Sequence, residues 1–159
     1  MARETERKFL VRSDEWRPSA TPKRYVQGYL TRGGGVSVRV RIVEDHACLT
    51  IKGESEGASR SEFEYDIPLD DARRILAEMC QSSIIEKTRS KVEHGDWTWE
   101  VDVFHGENDG LVMAEVELPH EDAEVELPDW VGQEVTHDGR FYNVYLAENP
   151  FSTWSDSPA

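Results

Sequence analysis

Charged side chains share one face of the first extended segment of the chain. Glu4, Glu6 and Lys8 alternate with other residues, so a β-strand would direct them to one face and Phe9 and Val11 to the other. Carboxylates in such a row can ligate a hard divalent cation, and an ammonium group can bind an anion. This face therefore indicates a site for a metal ion, an anion or both.

The same spacing recurs along the chain as pairs of like charge. The pairs are Arg39 and Arg41, Glu62 and Glu64, Lys87 and Arg89, Glu100 and Asp102, and Glu115 and Glu117, with Lys52 two residues after Thr50. Any single pair is typical of the solvated face of an antiparallel sheet. Like charges two residues apart repel each other, however, and need opposite charges across the sheet or a bound ligand. Their recurrence on nearly every strand favours a closed barrel with a charged interior.

The predicted interior contains eight acids and six bases, which give it a net charge of −2. The acids are Glu4, Glu6, Glu62, Glu64, Glu100, Asp102, Glu115 and Glu117, and the bases are Lys8, Arg39, Arg41, Lys52, Lys87 and Arg89. Mg²⁺ or Mn²⁺ takes carboxylate and phosphate oxygens together, and arginine and lysine bind the remaining phosphate oxygens. Two such ions would make the interior net positive, so it suits a metal–polyphosphate complex. The histidines are scattered and do not support a zinc site.

Composition limits the class of protein further. A chain of 159 residues is normally one domain, and its net charge of −14 argues against a general nucleic-acid binder. Cys48 and Cys80 have neither metal-type spacing nor a disulfide framework, which favours a reducing compartment. Neither a signal-peptide pattern nor a membrane-length apolar run is found, so we expect a cytoplasmic protein without a membrane partner.

Eight segments show the alternation of strands. They lie at about 3–11, 24–31, 36–43, 46–52, 60–67, 84–92, 97–105 and 111–118. Gly33, Gly34 and Gly35 are expected to join the second and third strands as a hairpin. The expected fold class is mainly β, with a smaller helical component (α+β).

Two helices are predicted among these strands. Asp70 can N-cap a helix that ends near Cys80, and Asp138 can cap a second one over about 139–148. The apolar face of the first helix would contain Ala72, Ile75, Leu76 and Met79. Residues 120–131 are ambiguous, 1–150 are expected to form the single domain, and 151–159 are expected to form a loose C-terminal tail.

These motifs, taken together, resemble those of the CYTH or triphosphate tunnel metalloenzyme superfamily. The signature is Glu4-Thr5-Glu6-Arg7-Lys8. The matching motifs continue in family order as Gln27-Gly28-Tyr29-Leu30, Arg39-x-Arg41, Leu49-Thr50-Ile51-Lys52, Arg60-x-Glu62-x-Glu64, Glu86-Lys87-Thr88-Arg89, Glu100-x-Asp102-x-Phe104, Glu115-x-Glu117, Glu134-Val135-Thr136 and Asp138-x-Arg140-x-x-Asn143. The resemblance spans about residues 3–149, and the chain is similar in length to the compact bacterial inorganic tripolyphosphatases.

The resemblance implies an eight-stranded antiparallel tunnel barrel with a polar, charged interior and a few outer helices. It implies that the metal would be held by Glu4, Glu6, Glu115 and Glu117, with Glu62, Glu64 and Asp102 as further acidic contacts to a metal or its waters. Phosphate would be bound by Lys8, Arg39, Arg41, Lys52, Lys87 and Arg89. The segment around Arg140 and Asn143 looks like the family's lid over one tunnel mouth.

The function predicted from these residues is metal-dependent hydrolysis of the terminal phosphate of inorganic tripolyphosphate, with two Mg²⁺ or Mn²⁺ ions. Lys87, Glu6 and Glu117 are the candidate catalytic residues. Two alternatives share the scaffold, namely a class IV adenylyl cyclase and a thiamine or nucleoside triphosphatase. A third alternative is a non-catalytic polyphosphate-binding module. The family often forms homodimers, so a homodimer is expected.

Overall fold

The predicted strands are present in the computed structural model, which describes residues 3–31, 35–54, 56–80 and 84–155. The first eight strands are β1 (Arg3–Val11), β2 (Thr21–Thr31), β3 (Ser37–Val43), β4 (His46–Lys52), β5 (Ser59–Ile67), β6 (Ile85–His94), β7 (Trp97–Phe104) and β8 (Val112–Glu117). The helices are α1 (Leu69–Met79) and α2 (Asn143–Glu148). Short 3-10 helices lie at Arg17–Ser19, Gly106–Asn108, Gly139–Phe141 and Phe151–Thr153. Gly33 and Gly34 of the predicted turn lie outside the described residues.

The eight strands close into an antiparallel barrel, as predicted. Their order is β5-β4-β3-β2-β6-β7-β8-β1, and β1 returns to pair with β5. This closing contact is short, because it joins residues 3–5 of β1 to residues 59–61 of β5. The other edge of β1 pairs with β8, placing Glu6 opposite Glu117 and Lys8 opposite Glu115. The charged residues of distant segments are therefore neighbours on one interior surface.

A ninth strand, β9 (Val131–Glu134), was not predicted. It pairs with β1 where β1 extends beyond its contact with β5, placing Val131 opposite Val11. Four residues are too few to show a clear alternation, and Gly132 interrupts the pattern. A Cβ atom on Gly132 would lie 3.1 Å from the carbonyl oxygen of Leu10, so glycine allows β9 to approach β1 closely.

Apolar side chains point outward and form the hydrophobic core around the barrel. Trp99 is fully buried, and its ring lies 5.6 Å from the rings of both Phe9 and Trp130. On another side, α1 inserts Ala72 against Val40 of the barrel. Burial of the outward faces provides the main hydrophobic stabilisation, so the interior can remain polar.

Helix α1 occupies nearly the predicted range but begins differently. Its N-cap residue is Pro68, whereas Asp70 lies within the first turn, so the predicted Asp70 cap is wrong. Pro68 has an extended backbone that leads into the helix, and the Asp70 carboxylate can interact there with the N-terminal helix dipole. Met79 was expected on the buried face but is 51% exposed at the last residue of the helix. In the described part of the chain, no helix combines the length and apolar character needed to cross a membrane.

The second predicted helix is divided in two at Tyr142. Asp138 caps the first part as predicted, because its side chain accepts a hydrogen bond from the Arg140 backbone N–H. Tyr142 is extended, and the α-helix begins only at Asn143. The interruption turns Tyr142 and Asn143 into the barrel interior, where both line the cavity described below.

The described part of the expected loose tail is packed against the barrel. Trp154 contacts the rings of Phe141, Tyr145 and Phe151, at centroid distances of 5.4, 6.3 and 5.2 Å. The backbone N–H of Phe151 donates a hydrogen bond to Asn108. The expectation of a loose tail is therefore corrected for residues 151–155, because their aromatic side chains bury apolar surface beside α2.

Glycine at position 28 allows the end of α1 to lie against β2. A Cβ atom there would lie 2.9 Å from Cys80 Sγ and 3.0 Å from Ile84 Cδ1. We expect Gly28→Ala to lower the free energy of unfolding by about 1–3 kcal/mol, because the neighbouring side chains must move. Gly139→Ala is the control, since apart from its chain neighbours no atom of the described residues lies within 4 Å of the added Cβ atom. Equal urea-denaturation midpoints for the two variants would contradict this account.

Candidate active site

A cavity of about 300 Å³ occupies the barrel interior, and charged side chains form most of its wall. Its basic residues are Lys8, Arg39, Arg41, Lys52, Arg60, Lys87 and Arg89. Its acidic residues are Glu4, Glu6, Glu62, Glu64, Glu100, Glu115 and Glu117. All of the residues predicted to face inward line the cavity except Asp102, which is buried and forms ion pairs with the lining residues Lys87 and Arg89. The structure thus brings the predicted site residues together.

Two groups of like-charged side chains face each other across this cavity. In the closed strand order, β3 lies four strands from β8 in either direction, so the two strands face each other. We call Glu6 of β1 with Glu115 and Glu117 of β8 the acidic wall, and Arg39 and Arg41 of β3 the basic wall. An anion with bound cations can contact both walls at once.

The arginines of the basic wall are bound by neutral groups. Arg39 donates to Thr50 Oγ1 at 3.2 Å, and its buried Nε has no hydrogen-bond partner in the described chain. Arg41 Nε donates to Gln27 Oε1 at 2.9 Å. Burial, and then the cations of Arg39 and Arg89, lower the pKa of Arg41 to about 10. A buried and a partly buried guanidinium group, both without carboxylate partners among the described residues, are suited to binding an anion.

Lys87 is fully buried between the two walls. Its Nζ donates to Asp102 Oδ2 at 2.8 Å and to Asn143 Oδ1 at 2.9 Å. Burial and the nearby Arg89 cation lower the pKa of Lys87 to about 7, although Asp102 acts in the opposite direction. A lysine that is partly neutral near pH 7 can exchange a proton with a bound water or phosphate group.

Asp102 orders the neighbouring cations. Arg89 binds its carboxylate with two hydrogen bonds, of 2.7 and 2.8 Å, while Lys87 shares one of its oxygens. Burial acts to raise the pKa of Asp102, but Arg89 and Lys87 outweigh it and lower the pKa. Arg89 also contacts Glu115 at 3.4 Å, and Glu115 accepts a hydrogen bond from Lys8. The structure therefore gives Asp102 a role in holding bases; its predicted contact with a metal stays a prediction.

Glu4 is likewise paired. It accepts from Lys52 Nζ at 2.7 Å and from Arg60 Nε at 3.0 Å. Burial acts to raise the pKa of Glu4, but the Lys52 and Arg60 cations hold it at about 2. Lys52 also contacts Glu62 at 3.2 Å, so this lysine joins β1 to β5 across the cavity wall.

The depressed pKa of Glu4 predicts a specific acid sensitivity in the presence of a chelator. Because its folded pKa lies below the ordinary 4.5, ionised Glu4 stabilises the fold above that pH, and the contribution is lost as pH falls toward about 2. We expect the wild type to be more stable than Glu4→Gln at pH 6, with a difference that shrinks at acid pH. Urea denaturation at several pH values from roughly 2 to 6 measures this difference. A difference independent of pH would contradict the assignment.

Glu6 and Glu117 are the least neutralised carboxylates of the acidic wall. Lys8 Nζ lies 3.5 Å from Glu6, and Glu117 has no ion pair within the described ranges. Burial and then the Glu115 carboxylate raise the pKa of Glu6. Burial and then the Glu4 carboxylate raise the pKa of Glu117. Adjacent carboxylates that repel each other fit a hard divalent cation, which would relieve that repulsion.

The described side chains do not enclose an ion by themselves. Among them, no three acidic, histidine or cysteine side chains form a group that could hold a metal. Mg²⁺ is commonly bound by one or two carboxylates together with substrate phosphates and water, so Glu6 and Glu117 fit this mode of binding. Glu64 lies near the basic wall and is exposed to solvent. Its carboxylate accepts a hydrogen bond from Thr50 Oγ1 at 3.2 Å.

Several cavity residues were not assigned a role from the sequence. Arg60 shares the inward parity of Glu62 and Glu64, and that signal could have identified it. Tyr25 has the same parity as Gln27 and is surrounded by three cations, at 4.9 Å from Arg41, 5.3 Å from Arg89 and 5.9 Å from Lys87. Tyr142 could not be identified by strand parity, because it lies between two helices.

The two residues predicted to form a lid are separated. Asn143 lines the cavity, whereas Arg140 pairs with Asp138 at the surface and stacks over the rings of Phe141 and Trp154. Residues 142–144 contribute to one end of the cavity. Another recess, near the turn between β3 and β4, shares Tyr25, Arg41 and Glu64 with the cavity lining.

Comparisons with known proteins agree with this geometry. The CYTH domain matches residues 2–142. An inorganic triphosphatase of Acetivibrio thermocellus is 46% identical over 156 residues, which cover 98% of this chain and 100% of that protein. An inorganic triphosphatase of Nitrosomonas europaea is 37% identical over 150 residues, which cover 91% of this chain and 96% of that protein. The solved structure of the inorganic triphosphatase NE1496 has a TM-score of 0.69 at 32% identity and covers 92% of this chain and 95% of its own.

Proposed function

The chain belongs to the CYTH domain family, and on this premise we propose that it hydrolyses the terminal phosphate of inorganic tripolyphosphate in a metal-dependent reaction. The observation that carries the proposal is the placement of Glu6 and Glu117 opposite Arg39 and Arg41 across one cavity. Similarity over nearly the whole chain to two proteins described as inorganic triphosphatases supports it.

The residues have distinct parts in the proposed reaction. Glu6 and Glu117 would hold Mg²⁺ or Mn²⁺, with Glu4 and Glu115 beside them, and two ions would balance the charge of substrate and carboxylates. When bound, the metal would stabilise phosphoryl charge and favour water as a nucleophile. Arg39 binds oxygens of the phosphate chain from the opposite wall, aided by the other cavity bases, Lys8, Arg41, Lys52 and Arg89.

Lys87 is placed to act at the terminal phosphoryl group. With two N–H groups donated to Asp102 and Asn143, the remaining position of Nζ is available to the cavity. A water oxygen attacks the terminal phosphorus, and the bond from that phosphorus to the bridging oxygen breaks. The products are phosphate and diphosphate. Neutral Lys87 accepts a hydrogen bond from the attacking water and takes up its proton, and the ammonium group formed in this way donates to a phosphate oxygen.

Measurement of phosphate release tests the function. The substrates are tripolyphosphate, ATP and thiamine triphosphate, each assayed with Mg²⁺, with Mn²⁺ and with a chelator. We expect release from tripolyphosphate that requires a metal. Formation of cyclic AMP from ATP would indicate the cyclase alternative, and preferred release from thiamine triphosphate or ATP would indicate an organic triphosphatase. Binding of tripolyphosphate without release from any substrate would favour the binding module.

Removal of Arg39 should weaken substrate binding more than turnover. We expect Arg39→Ala to raise the KM for tripolyphosphate by about 10- to 100-fold, since a charge-assisted hydrogen bond contributes about 1.5–3 kcal/mol. Steady-state kinetics at saturating metal measures the change. Arg24→Ala is the matched control, because Arg24 is exposed and pairs with Glu86 at 3.2 Å. An equal KM for both variants would contradict a substrate contact by Arg39.

The oligomeric state and the cellular location are part of the same proposal. We expect a homodimer in the reducing environment of the cytoplasm, with a triphosphate-containing small molecule as the ligand. The two cysteines are free, and Cys48 is buried, which agrees with a role as a small apolar residue. Size-exclusion chromatography with light scattering would measure the oligomeric state.

A further inference from the structure

The orientation of the Asn143 amide is determined by its two partners. Asn143 Oδ1 accepts from Lys87 Nζ at 2.9 Å and from Gln27 Nε2 at 3.1 Å. A lysine ammonium group offers only donors, so the oxygen of the amide, and not its nitrogen, must face Lys87. Gln27 is fully buried and presents its own oxygen to Arg41 Nε at 2.9 Å, which leaves its nitrogen for Asn143.

The other end of the amide is then left for the cavity. Within the described chain, no group accepts a hydrogen bond from Asn143 Nδ2, and that atom is not among the buried unpaired atoms. Asn143 itself lines the cavity. A donor in contact with open, polar space beside Lys87 is available to an oxygen of a bound phosphoryl group.

The backbone holds Asn143 in this position. It is the first residue of α2, and the preceding Tyr142 is fixed by a hydrogen bond of 3.2 Å from its hydroxyl to the Thr136 carbonyl. Leu146 and Ala147, one turn later, bury apolar side chains against the barrel. An apolar residue at position 143 would suffice if α2 only covered the cavity. The amide at this position therefore indicates a polar role.

We propose that Asn143 is a substrate-binding residue that places the terminal phosphoryl group beside Lys87, with its oxygen positioning Lys87 and its nitrogen donating to phosphate. Through Gln27 the same amide is joined to Arg41, so a chain of hydrogen bonds connects Lys87 with the basic wall. The proposal rests on the proposed function and assigns a part of that reaction to the first residue of α2.

The test compares Asn143→Leu with Lys87→Met and the double variant. We expect Asn143→Leu to lower kcat/KM for tripolyphosphate by about 10²-fold, in the range found for removal of one donor to a developing charge. Residues that act as a unit are not additive, so the double variant should be little slower than Lys87→Met alone. Asn143→Leu should also weaken binding of tripolyphosphate, measured by calorimetry with a chelator and no metal. Asn143→Ala repeats both measurements if the leucine variant does not fold.

The control is Glu148→Gln, an exposed change on the same helix that should leave both measurements unchanged. Multiplicative effects in the double variant, or unchanged calorimetric binding by a folded Asn143 variant, would overturn the inference. These outcomes presuppose an active wild type. A wild type that releases no phosphate from tripolyphosphate would instead overturn the proposed function, and this inference with it.

Discussion

Replacement of Glu6 by glutamine should abolish most metal-dependent turnover while leaving the fold intact. We expect kcat for tripolyphosphate in Mg²⁺ to fall by about 10²–10³-fold or more, because the variant loses a carboxylate that we propose holds the metal near the developing phosphoryl charge. Stability should be equal or higher at neutral pH. Burial and the Glu115 carboxylate already raise the pKa of Glu6, so its ionised form is unfavourable in the unliganded fold.

Two measurements separate these effects. Phosphate release across a series of Mg²⁺ concentrations reports the metal site, and urea denaturation with a chelator reports the fold. Glu134→Gln is the matched control, since Glu134 lies on β9 at the surface and pairs with Arg7 at 2.7 Å. Full activity of Glu6→Gln in Mg²⁺ would show that the metal assignment is wrong.

Removal of the Asp102 carboxylate should have the largest effect on stability. Asp102→Ala leaves Lys87 buried without a carboxylate partner and deprives Arg89 of its two short hydrogen bonds. We expect the free energy of unfolding to fall by about 3–5 kcal/mol, the usual effect of removing one partner from a buried ion pair. Urea denaturation at neutral pH measures the loss.

The pH dependence of this loss has a definite sign. Arg89 and Lys87 lower the folded pKa of Asp102 despite its burial, so its contribution is present above the unfolded pKa and declines as pH falls through the folded one. The difference in the free energy of unfolding between the wild type and Asp102→Ala should therefore become smaller at acid pH. Glu78→Ala is the control, because the exposed pair of Glu78 with Arg74 should contribute less than about 1 kcal/mol. A similar loss of stability in both variants would contradict the stabilising role that we assign to the buried ion pairs of Asp102.

The interior of the barrel was predictable because strand parity is a local property. A side chain two residues from another shares its face whatever the strand pairs with, so Arg39 with Arg41 and Glu115 with Glu117 could be placed without knowing the topology. Arg60 obeys the same rule and could have been added to the lining on that basis.

The partners of each charge could not be predicted in this way. Parity placed Asp102 inward, but its contact with Arg89 and Lys87 depends on the register of β6 against β7. Register is set by the whole sheet, not by one strand. The metal role predicted for Asp102 came from the resemblance alone, while the structure supplies a reason for an acid at this position that is independent of any metal.

The segment 139–148 shows a second reason why prediction from the sequence was incomplete. A continuous helix over 139–148 would place Arg140 and Asn143, three residues apart, on the same face. The extended Tyr142 breaks that relation, and the two side chains diverge to the surface and the cavity. The sequence has no typical N-cap residue before Asn143 that would have predicted a second helix start. The N-cap residue of α2 is Tyr142, whose side chain forms no capping hydrogen bond.

The pairing of β1 has a consequence for the order in which the protein can be assembled during synthesis. Among the nine described strands this one is synthesised before the others, yet its partners include β8 and β9, which are more than a hundred residues later in the chain. Its contact with β5 covers three residue pairs and can hold it only weakly before then. Glu6 therefore comes to lie opposite Glu117 only after β8 has been synthesised, so the metal site that we propose there forms late, whereas Glu4 can pair earlier with Lys52 and Arg60.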